Sequence, residues 1–229
     1  MMSVSEHGRP PLSPIQEDYL KQILLLERRG PVGTQALASR LGVRPATVTG
    51  MVQRLARLGL VQYRPYSGTR LTEGGRQVAL EMVRHHRLLE TYLVQELGYA
   101  WDEVHDEAER LEHVISELFE ERIAAVLGDP THDPHGDPIP SGDLVMPPAA
   151  GEIAVGRATA GASGTLVRVA AQDPDSLHLC DRLGLRPGAS LTVIDSVGGS
   201  VRVDVCGERY LLPQSLADEL FLRLKEERR

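Results

Sequence analysis

The spacing of apolar residues predicts three short helices and a hairpin in the first third of the chain. The first helix opens on a Ser-Pro pair at Ser13 and carries apolar residues at helical spacing to about Arg28. Two more helices are predicted over residues 34–41 and 45–58, with a glycine turn between them. Residues 60–71 alternate around a Ser-Gly pair and predict a hairpin. Together these elements indicate a winged helix-turn-helix.

The middle of the chain carries two further helical patterns. One runs from Glu73 to about Leu97, and the next begins at Trp101 with Asp102 as its N-cap. The second pattern has more apolar surface than a short bundle needs to cover itself. Its apolar residues are Ile115, Leu118, Phe119, Ile123, Val126 and Leu127. We interpret this surplus as the interface of a two-fold symmetric homodimer; the alternative is that it closes over the chain's own N-terminal helices.

The last part of the chain has the pattern of a small β-barrel. Residues 128–151 are rich in Pro and Gly and predict a linker that is poorly ordered in part. Short alternating runs follow at residues 164–170, 190–195 and 200–205, and the glycines at 198–199 predict a hairpin turn.

Charge is distributed unevenly along the 229 residues, although the net charge is only −7. Residues 11–76 hold 10 Lys and Arg against 4 Asp and Glu, a charge of +6. Residues 77–150 hold 4 against 16, a charge of −12, and residues 151–229 hold 10 against 11. A basic head followed by an acidic middle favours a nucleic-acid contact at the head.

The basic head offers two groups of residues for duplex DNA. In a winged helix, the start of the third helix meets base edges in the major groove, while basic residues along the helix and wing lie near phosphates. The predicted base-edge residues are Arg44, Pro45, Ala46, Thr47, Thr49 and Gly50. The predicted phosphate-contacting residues are Arg54, Arg57, Arg64 and Arg70. Because few of these residues can make a bidentate base contact, we expect recognition to depend largely on methyl contacts and DNA shape.

Histidines and glutamates at helical spacing in the acidic middle indicate a metal site. One set is His86 with Glu90, four residues apart. The other set is His105, Glu109, Glu112 and His113. Offsets of four, seven and eight residues fall within an arc of about 100° on a helix, so the second set is predicted to leave one helical face. Imidazole nitrogen and carboxylate oxygen together suit divalent first-row metals.

Other interpretations of the same residues remain open. Glu and His on a long helix commonly form a solvated face, in which case the chain is a winged-helix regulator that senses no metal. Paired carboxylates and histidines also occur in di-metal hydrolases, but neither a glycine-rich phosphate loop nor a nucleophile motif accompanies them here. A basic winged helix also has no purpose in such an enzyme. The chain is therefore predicted not to be an enzyme.

Three sequence motifs resemble the diphtheria toxin repressor family of metal-dependent transcriptional regulators, which includes the manganese transport regulators. They are VHDEAERLEHV at residues 104–114, HHRLLE from His85, and DPHGDPIP at residues 133–140. The resemblance covers roughly residues 13–142. It implies a DNA-binding winged helix, a helical dimerisation domain and two adjacent metal positions per subunit. The tail is similar to the SH3-like C-terminal domain of part of the family.

The resemblance also implies which residues hold metal. The ancillary position is matched by His86, Glu90 and His105. The regulatory position is matched by Asp18, Glu109, Glu112 and His113. In relatives the C-terminal domain can lend a ligand to the ancillary position, and the residues that match here are Asp173 and, less closely, Asp175 and His178.

Four positions relate the chain to subgroups of the family. Iron-responsive members place Met and Cys where this chain has Asp18 and Glu109, whereas manganese-responsive members are similar to it there. This harder ligand set favours Mn²⁺ or Fe²⁺, with Zn²⁺, Co²⁺ or Cd²⁺ as substitutes in vitro. Lys21 stands where manganese-type members carry a bridging glutamate, and Gly50 stands where many relatives carry a glutamine in the recognition helix.

The combined prediction is a mainly α chain with small β parts, divided into three domains. These are a winged helix-turn-helix at 1–74, a helical metal-binding and dimerisation domain at 75–142, and an SH3-like, FeoA-like β-barrel at 143–229. The predicted function is a homodimeric repressor of metal-uptake genes on a palindromic DNA operator, with Mn²⁺ or Fe²⁺ as co-repressor. The first twelve residues carry no apolar signal region and no run can span a bilayer, so we expect a cytoplasmic protein without a membrane partner.

Overall fold

A computed structural model describes residues 12–27, 30–148 and 151–225. The predicted helix end at Arg28 and most of the first twelve residues lie outside this part. The described chain divides into two compact units. The first holds residues 12–27, 30–85, 112–114 and 140–145, and the second holds residues 86–111, 115–139, 146–148 and 151–225. No helix in the described ranges is both long and apolar enough to cross a membrane.

The first unit contains the predicted winged helix-turn-helix. Its elements are α1 (Pro14–Leu26), α2 (Thr34–Leu41), α3 (Pro45–Arg57), β1 (Val61–Arg64) and β2 (Gly68–Leu71). At the start of α1 the Ser13 N–H donates to Gln16 Oε1 at 3.0 Å, which satisfies a backbone donor that the helix leaves open. Gly42 takes the left-handed conformation, with φ 64°, that ends α2 and turns the chain into α3. Leu20, Leu37 and Val52 are fully or almost fully buried in the core beneath these helices.

The acidic middle is broken into more helices than the sequence predicts. They are α4 (Glu73–Gln95), α5 (Val104–Leu111) and α6 (Glu117–Val126). The predicted start at Trp101 is wrong: residues 101–103 form a turn in which the Glu103 N–H donates to Ala100 O at 3.1 Å, and the helix begins at Val104. The buried indole of Trp101 donates its Nε1–H to Pro134 O at 2.8 Å. The predicted continuous helix is wrong as well. Ser116 caps α6 by accepting from Phe119 N, and residues 112–116 between α5 and α6 are not helical.

The second unit ends in a six-stranded antiparallel sheet. Its strands are β3 (Glu152–Ala154), β4 (Ser163–Val169), β5 (Ser190–Val197), β6 (Ser200–Val205), β7 (Glu208–Pro213) and β8 (Leu220–Leu224), in the order β3-β8-β4-β5-β6-β7. Helices α7 (Pro174–Arg182) and α8 (Gln214–Ala217) accompany the sheet. The three predicted strand runs are present, and the Gly198–Gly199 pair turns β5 into β6 with both φ angles positive. The sequence analysis missed α7.

The segment predicted as a linker contains a folded loop. Asp133 Oδ1 accepts from the N–H groups of His135 and Asp137, at 2.8 and 2.9 Å. Ile139 N donates to Thr131 O at 2.9 Å and closes the loop. The expectation of poor order does not fit residues 131–139, because these hydrogen bonds satisfy the backbone from within the loop.

Gly75 provides a test of packing in the first unit, because a Cβ there would lie 1.9 Å from Leu60 O. Gly75→Ala is therefore expected to lower the free energy of unfolding by about 1–3 kcal/mol, since backbone must shift to admit the methyl group. The matched control is Gly50→Ala in α3, where a Cβ meets nothing within 4 Å. There alanine should stabilise the helix by up to about 1 kcal/mol. Urea unfolding followed by circular dichroism measures both, and equal midpoints for the two variants would contradict the packing argument.

Candidate metal centres and nucleic-acid interface

Three potential ligands converge in the first unit. Asp18 projects from α1, while Glu112 and His113 follow the last residue of α5. His113 Nε2 lies 3.0 Å from Asp18 Oδ1 and 3.4 Å from Glu112 Oε1. One donor atom from each residue lies within 4.8 Å of the others. We call this group the head site.

Charges around the head site are closely compensated. The Lys21 ammonium lies 2.5 Å from Glu112 Oε1, and both side chains are almost completely buried. Glu17 Oε2 lies 2.7 Å from His113 Nδ1. The carboxylates of Asp18 and Glu17 raise the pKa of His113 to about 10. A metal ligand must be a neutral imidazole, so binding here displaces a proton.

The donors of the head site fit a hard divalent cation. Two carboxylates and one imidazole are the ligand types that Mn²⁺ and Fe²⁺ accept. Asp18 Oδ1 is buried and has no hydrogen-bond partner among the described residues, although His113 Nε2 is close to it. A buried carboxylate oxygen without a hydrogen bond is costly unless a cation accompanies it. In the structure the His113 imidazole, 3.0 Å away and with its pKa raised to about 10, accompanies this oxygen, and a bound metal ion would replace its proton.

Glu109 differs in position from the other predicted regulatory ligands. The prediction that His105, Glu109, Glu112 and His113 leave one helical face is wrong, because α5 ends at Leu111. Glu109 lies in the second unit, where its Oε1 is 3.9 Å from His105 Nε2. There it forms a group of potential ligands with His86 and His105.

A second group of ligands converges in the second unit, at the predicted ancillary position. Glu90 Oε1 lies 3.0 Å from both His86 Nε2 and His105 Nδ1, and the two imidazole nitrogens are 3.1 Å apart. Ligand atoms at about 2.1 Å from one ion lie about 3 Å apart at neighbouring corners of its coordination shell. The three donors therefore have the mutual spacing of atoms that share a cation. We call this group the body site.

Glu90 combines deep burial with a lowered pKa. Burial opposes ionisation, but the imidazoles of His86, His105 and His135 hold the pKa of Glu90 well below its usual range. His86 and Glu90 lie one turn apart on α4, so the helix itself fixes their shared direction. The prediction that His86 and Glu90 share one face of a helix therefore follows correctly from their spacing.

Two ligand-type residues near Glu90 were missed by the sequence analysis. Asp133 and His135, in the 131–139 loop, form a buried group with Glu90. Burial and the adjacent Glu90 carboxylate raise the pKa of Asp133 to about 7. Periodicity carries no sign of this proximity, because the loop is far from α4 in sequence. The DPHGDP string, with its closely spaced acids and histidine, was the available signal.

The C-terminal residues predicted to lend a ligand have other roles in the structure. Asp173 is the N-cap of α7 and accepts from Ser176 N at 2.9 Å, which lowers its pKa. Asp175 follows it in the first turn of the helix. His178 Nε2 lies 3.1 Å from Asp102 Oδ2. None of the three belongs to a group of potential ligands in the described chain. The Asp-Pro pair at the start of α7 is an N-cap signal that could have predicted this helix.

The predicted DNA-contacting residues lie on the surface of the first unit. Nine of the ten are exposed, and Thr49 is partly exposed. The Thr49 hydroxyl donates to Pro45 O at 3.1 Å, inside α3. Gln53, one turn after Thr49, is also exposed, and the sequence analysis missed it. Its amide is the group that pairs with adenine in the major groove.

Comparison with known proteins identifies the family. Residues 11–69 match "Iron dependent repressor, N-terminal DNA binding domain", residues 72–141 match "Iron dependent repressor, metal binding and dimerisation domain", and residues 154–224 match "FeoA domain". The iron-dependent repressor IdeR of Mycobacterium tuberculosis is 37% identical over 216 residues, 88% of this chain and 93% of the relative. The chain belongs to the iron-dependent repressor family. This family consists of DNA-binding transcriptional repressors rather than enzymes, so the hydrolase alternative is set aside.

Solved structures of iron-dependent repressor relatives have the same fold. A manganese-dependent transcriptional repressor in complex with manganese is 38% identical, covering 92% of this chain and 100% of the other, with a TM-score of 0.85. The manganese regulator SloR is 30% identical over 93% of this chain and 100% of the other, with a TM-score of 0.78. The predicted fold of a DNA-binding helical part, a helical dimerisation part and a C-terminal SH3-like sheet is confirmed. The names of the relatives include both iron and manganese.

The Lys21–Glu112 pair gives a test of the head site without metal. In EDTA, Glu112→Gln should lower the free energy of unfolding by about 3 kcal/mol, because it leaves a buried ammonium beside a neutral amide. The double variant Lys21→Met, Glu112→Gln should recover much of this loss, since no unpaired charge remains. Denaturant unfolding of both variants and the unchanged protein measures the difference. A double variant no more stable than Glu112→Gln would refute the pairing.

Proposed function

We propose that the chain is a homodimeric, Mn²⁺- or Fe²⁺-dependent repressor whose regulatory ion binds at the head site. The proposal rests on one observation above all: Asp18 of the first DNA-binding helix lies 3.0 Å from His113, which follows α5. A bound cation would neutralise the carboxylates of Asp18 and Glu112 and hold them together. Those ligands then fix α1 relative to the segment after α5. Metal and operator affinity are coupled in this way, and each strengthens the other.

The choice of metal follows from the donors. Carboxylate oxygens dominate the head site, which favours Mn²⁺ or Fe²⁺ over metals that prefer thiolate. The body site has the imidazoles of His86 and His105 and the carboxylate of Glu90, and Glu109 lies near enough to add a second carboxylate. This donor set suits the same ions. Zn²⁺, Co²⁺ and Cd²⁺ are expected to substitute in vitro. Lys21 places a fixed positive charge 2.5 Å from Glu112, which supports one ion at the head site rather than a close pair.

The place of Glu109 in this scheme rests on the family resemblance alone. Two assignments are open: a fourth regulatory ligand beside Glu112 and His113, or a further ligand of the body site beside His105. We keep the regulatory assignment as the proposal. If Glu109→Gln loses the Mn²⁺ dependence of operator binding as completely as His113→Ala does, the regulatory assignment is supported.

The proposed DNA-contacting surface consists of the start of α3 and the hairpin of β1 and β2. We expect Gln53 to meet base edges together with the residues predicted from the sequence, which are Arg44, Pro45, Ala46, Thr47, Thr49 and Gly50. The exposed arginines of α3 and the hairpin are expected to contact phosphates. A dimer presents two such helices to a palindromic operator in the cytoplasm. We also propose that the chain is divided into three domains, with boundaries after residues 74 and 142.

Metal dependence of operator binding is the direct test. A duplex selected from a random pool by the protein in Mn²⁺ should bind about 5- to 150-fold more weakly in EDTA, the usual range for a coupled co-repressor. His113→Ala should lose this difference, whereas His178→Ala, which removes an exposed imidazole paired with Asp102, should keep it. Fluorescence anisotropy titration measures all three. Equal affinity of the unchanged protein for the duplex in Mn²⁺ and in EDTA would contradict the co-repressor role.

The dimer depends on the apolar surface of α6. Leu118, Phe119 and Val126 are 60%, 47% and 61% exposed in the single chain. Phe119→Glu should yield monomers in sedimentation velocity, because charge cannot be buried in an apolar interface without a partner, and it should weaken operator binding. Leu211→Glu is the control, since Leu211 is 59% exposed on β7 of the C-terminal sheet. If Phe119→Glu stays dimeric, the interface lies elsewhere.

A further inference from the structure

A fully exposed tyrosine lies at the tip of the β1–β2 hairpin. Tyr66 is the middle residue of the three-residue turn, residues 65–67, that joins the two strands. Its relative exposure is 109%, so its ring stands clear of the rest of the described chain. A single exposed apolar side chain is common on protein surfaces. The backbone of Tyr66 and the residues around it, however, are unusual.

The main chain of Tyr66 has a conformation that bulky residues avoid. Its φ is +63°, in the left-handed region. The Ser67 N–H donates to Arg64 O at 3.1 Å, so residues 64–67 form a turn with Pro65 second and Tyr66 third. A turn with proline second and a positive φ at the third position favours Gly or Asn there. Tyrosine in this place costs stability, and strained residues of this kind are concentrated at functional sites.

The hairpin below Tyr66 is held by a third segment of the chain. The Val32 N–H donates to Thr69 O at 2.8 Å, and the Thr69 N–H donates to Val32 O at 2.9 Å. A Cβ on Gly68 would lie 2.9 Å from Val32 O, so the two segments are in close contact. Both strands also share one buried core with α3. The tip of the hairpin is therefore fixed relative to the helix that is proposed to contact base edges.

The hairpin presents positive charge beside the ring. Residues 61–72 contain two arginines and neither Asp nor Glu. Arg70 pairs with Gln62 across the hairpin, and Arg64 follows Gln62 by two residues on β1. Because side chains alternate between the faces of a strand, these three residues share one face, and all three are exposed. A surface with this charge attracts the phosphates of DNA.

The dimensions of the hairpin favour the minor groove as the partner of the ring. The major groove of DNA is about 12 Å wide and admits a helix such as α3, whereas the minor groove is only about 6 Å wide. Two strands about 4.8 Å apart, with their side chains, are too broad for the minor groove. A single flat ring that projects from the tip is narrow enough. Insertion of apolar side chains into the minor groove is a common device of DNA-binding proteins.

A hydrogen bond to a phosphate is the alternative role for Tyr66. The phenolic O–H can donate to a phosphate oxygen, and such contacts carry no sequence information. The two roles differ in their dependence on the bases. Guanine places a 2-amino group in the minor groove, and adenine and thymine do not. A ring inside the groove meets that group, whereas a hydroxyl on a phosphate does not.

We propose that Tyr66 enters the minor groove next to the major-groove site of α3 and selects against guanine there. Arg64 and Arg70 hold the phosphates beside it, and the narrow groove of A·T pairs strengthens their attraction. The inference rests on the proposed DNA-contacting surface and deepens it. The hairpin then contributes to sequence selectivity as well as to affinity.

A base analogue that alters only the minor groove tests this role. Each A·T pair of the duplex selected in Mn²⁺ is replaced in turn, in both halves, by 2,6-diaminopurine·T, which adds the 2-amino group and keeps the major-groove edge. Fluorescence anisotropy should show a position at which affinity falls about 5-fold or more, the lower range for one wrong base pair. Tyr66→Gly should lose this fall, whereas Tyr66→Phe, which retains the ring, should keep it.

Glycine guards the test against misfolding, because it adopts a positive φ without strain and preserves the turn. The thermal midpoint of Tyr66→Gly should therefore be no lower than that of the unchanged protein. Tyr99→Ala is the control, since Tyr99 is 40% exposed and lies in the second unit, and it should keep the fall in affinity.

The outcomes separate the groove contact from the proposed function. The groove contact is refuted if no replacement weakens binding by the unchanged protein, or if Tyr66→Gly keeps the same fall. It is also refuted if Tyr66→Gly and Tyr66→Phe weaken binding to every duplex by one common factor, which indicates a hydroxyl on a phosphate. Failure of the unchanged protein to bind any duplex in Mn²⁺ would instead refute the proposed function.

Discussion

The buried carboxylate of Glu112 is the constraint on which the DNA-binding unit depends. Its side chain is completely enclosed, and its Oε1 lies 2.5 Å from the Lys21 ammonium and 3.4 Å from His113 Nε2. Its main-chain oxygen meets His85 Nδ1 at 3.1 Å, so both its side chain and its backbone are occupied. A charge in this position is stable only with its partners in place. The segment after α5 is therefore tied to α1 even before any cation binds.

The two sites differ in how they compensate charge. At the head site the Lys21 ammonium supplies a permanent cation beside Glu112, while the side chains of Asp18 and His113 face each other at 3.0 Å. At the body site the Glu90 carboxylate is surrounded instead by the imidazoles of His86, His105 and His135.

Local spacing in the sequence predicted much of this structure. The Ser-Pro start of α1, the glycine turn before α3 and the Ser-Gly hairpin all encode local geometry, and all appear in the described chain. The pair His86 and Glu90 was found because both lie on one uninterrupted helix. Glu112 and His113 were predicted as ligands for a partly wrong reason, since the helix that was to align them with His105 ends at Leu111. Asp133 and His135 were missed because their approach to Glu90 depends on tertiary packing, which no short repeat records.

Strand β4 and the 131–139 loop contact each other directly through main-chain atoms. Val169 N–H donates to His135 O at 2.8 Å, and a Cβ on Gly136 would lie 2.0 Å from Val167 O. Gly136 also has φ +85°, a conformation that other residues rarely adopt. The C-terminal sheet therefore cannot be exchanged freely. A chimaera with a foreign sheet would have to reproduce this contact between the two main chains to preserve the conformation of the 131–139 loop.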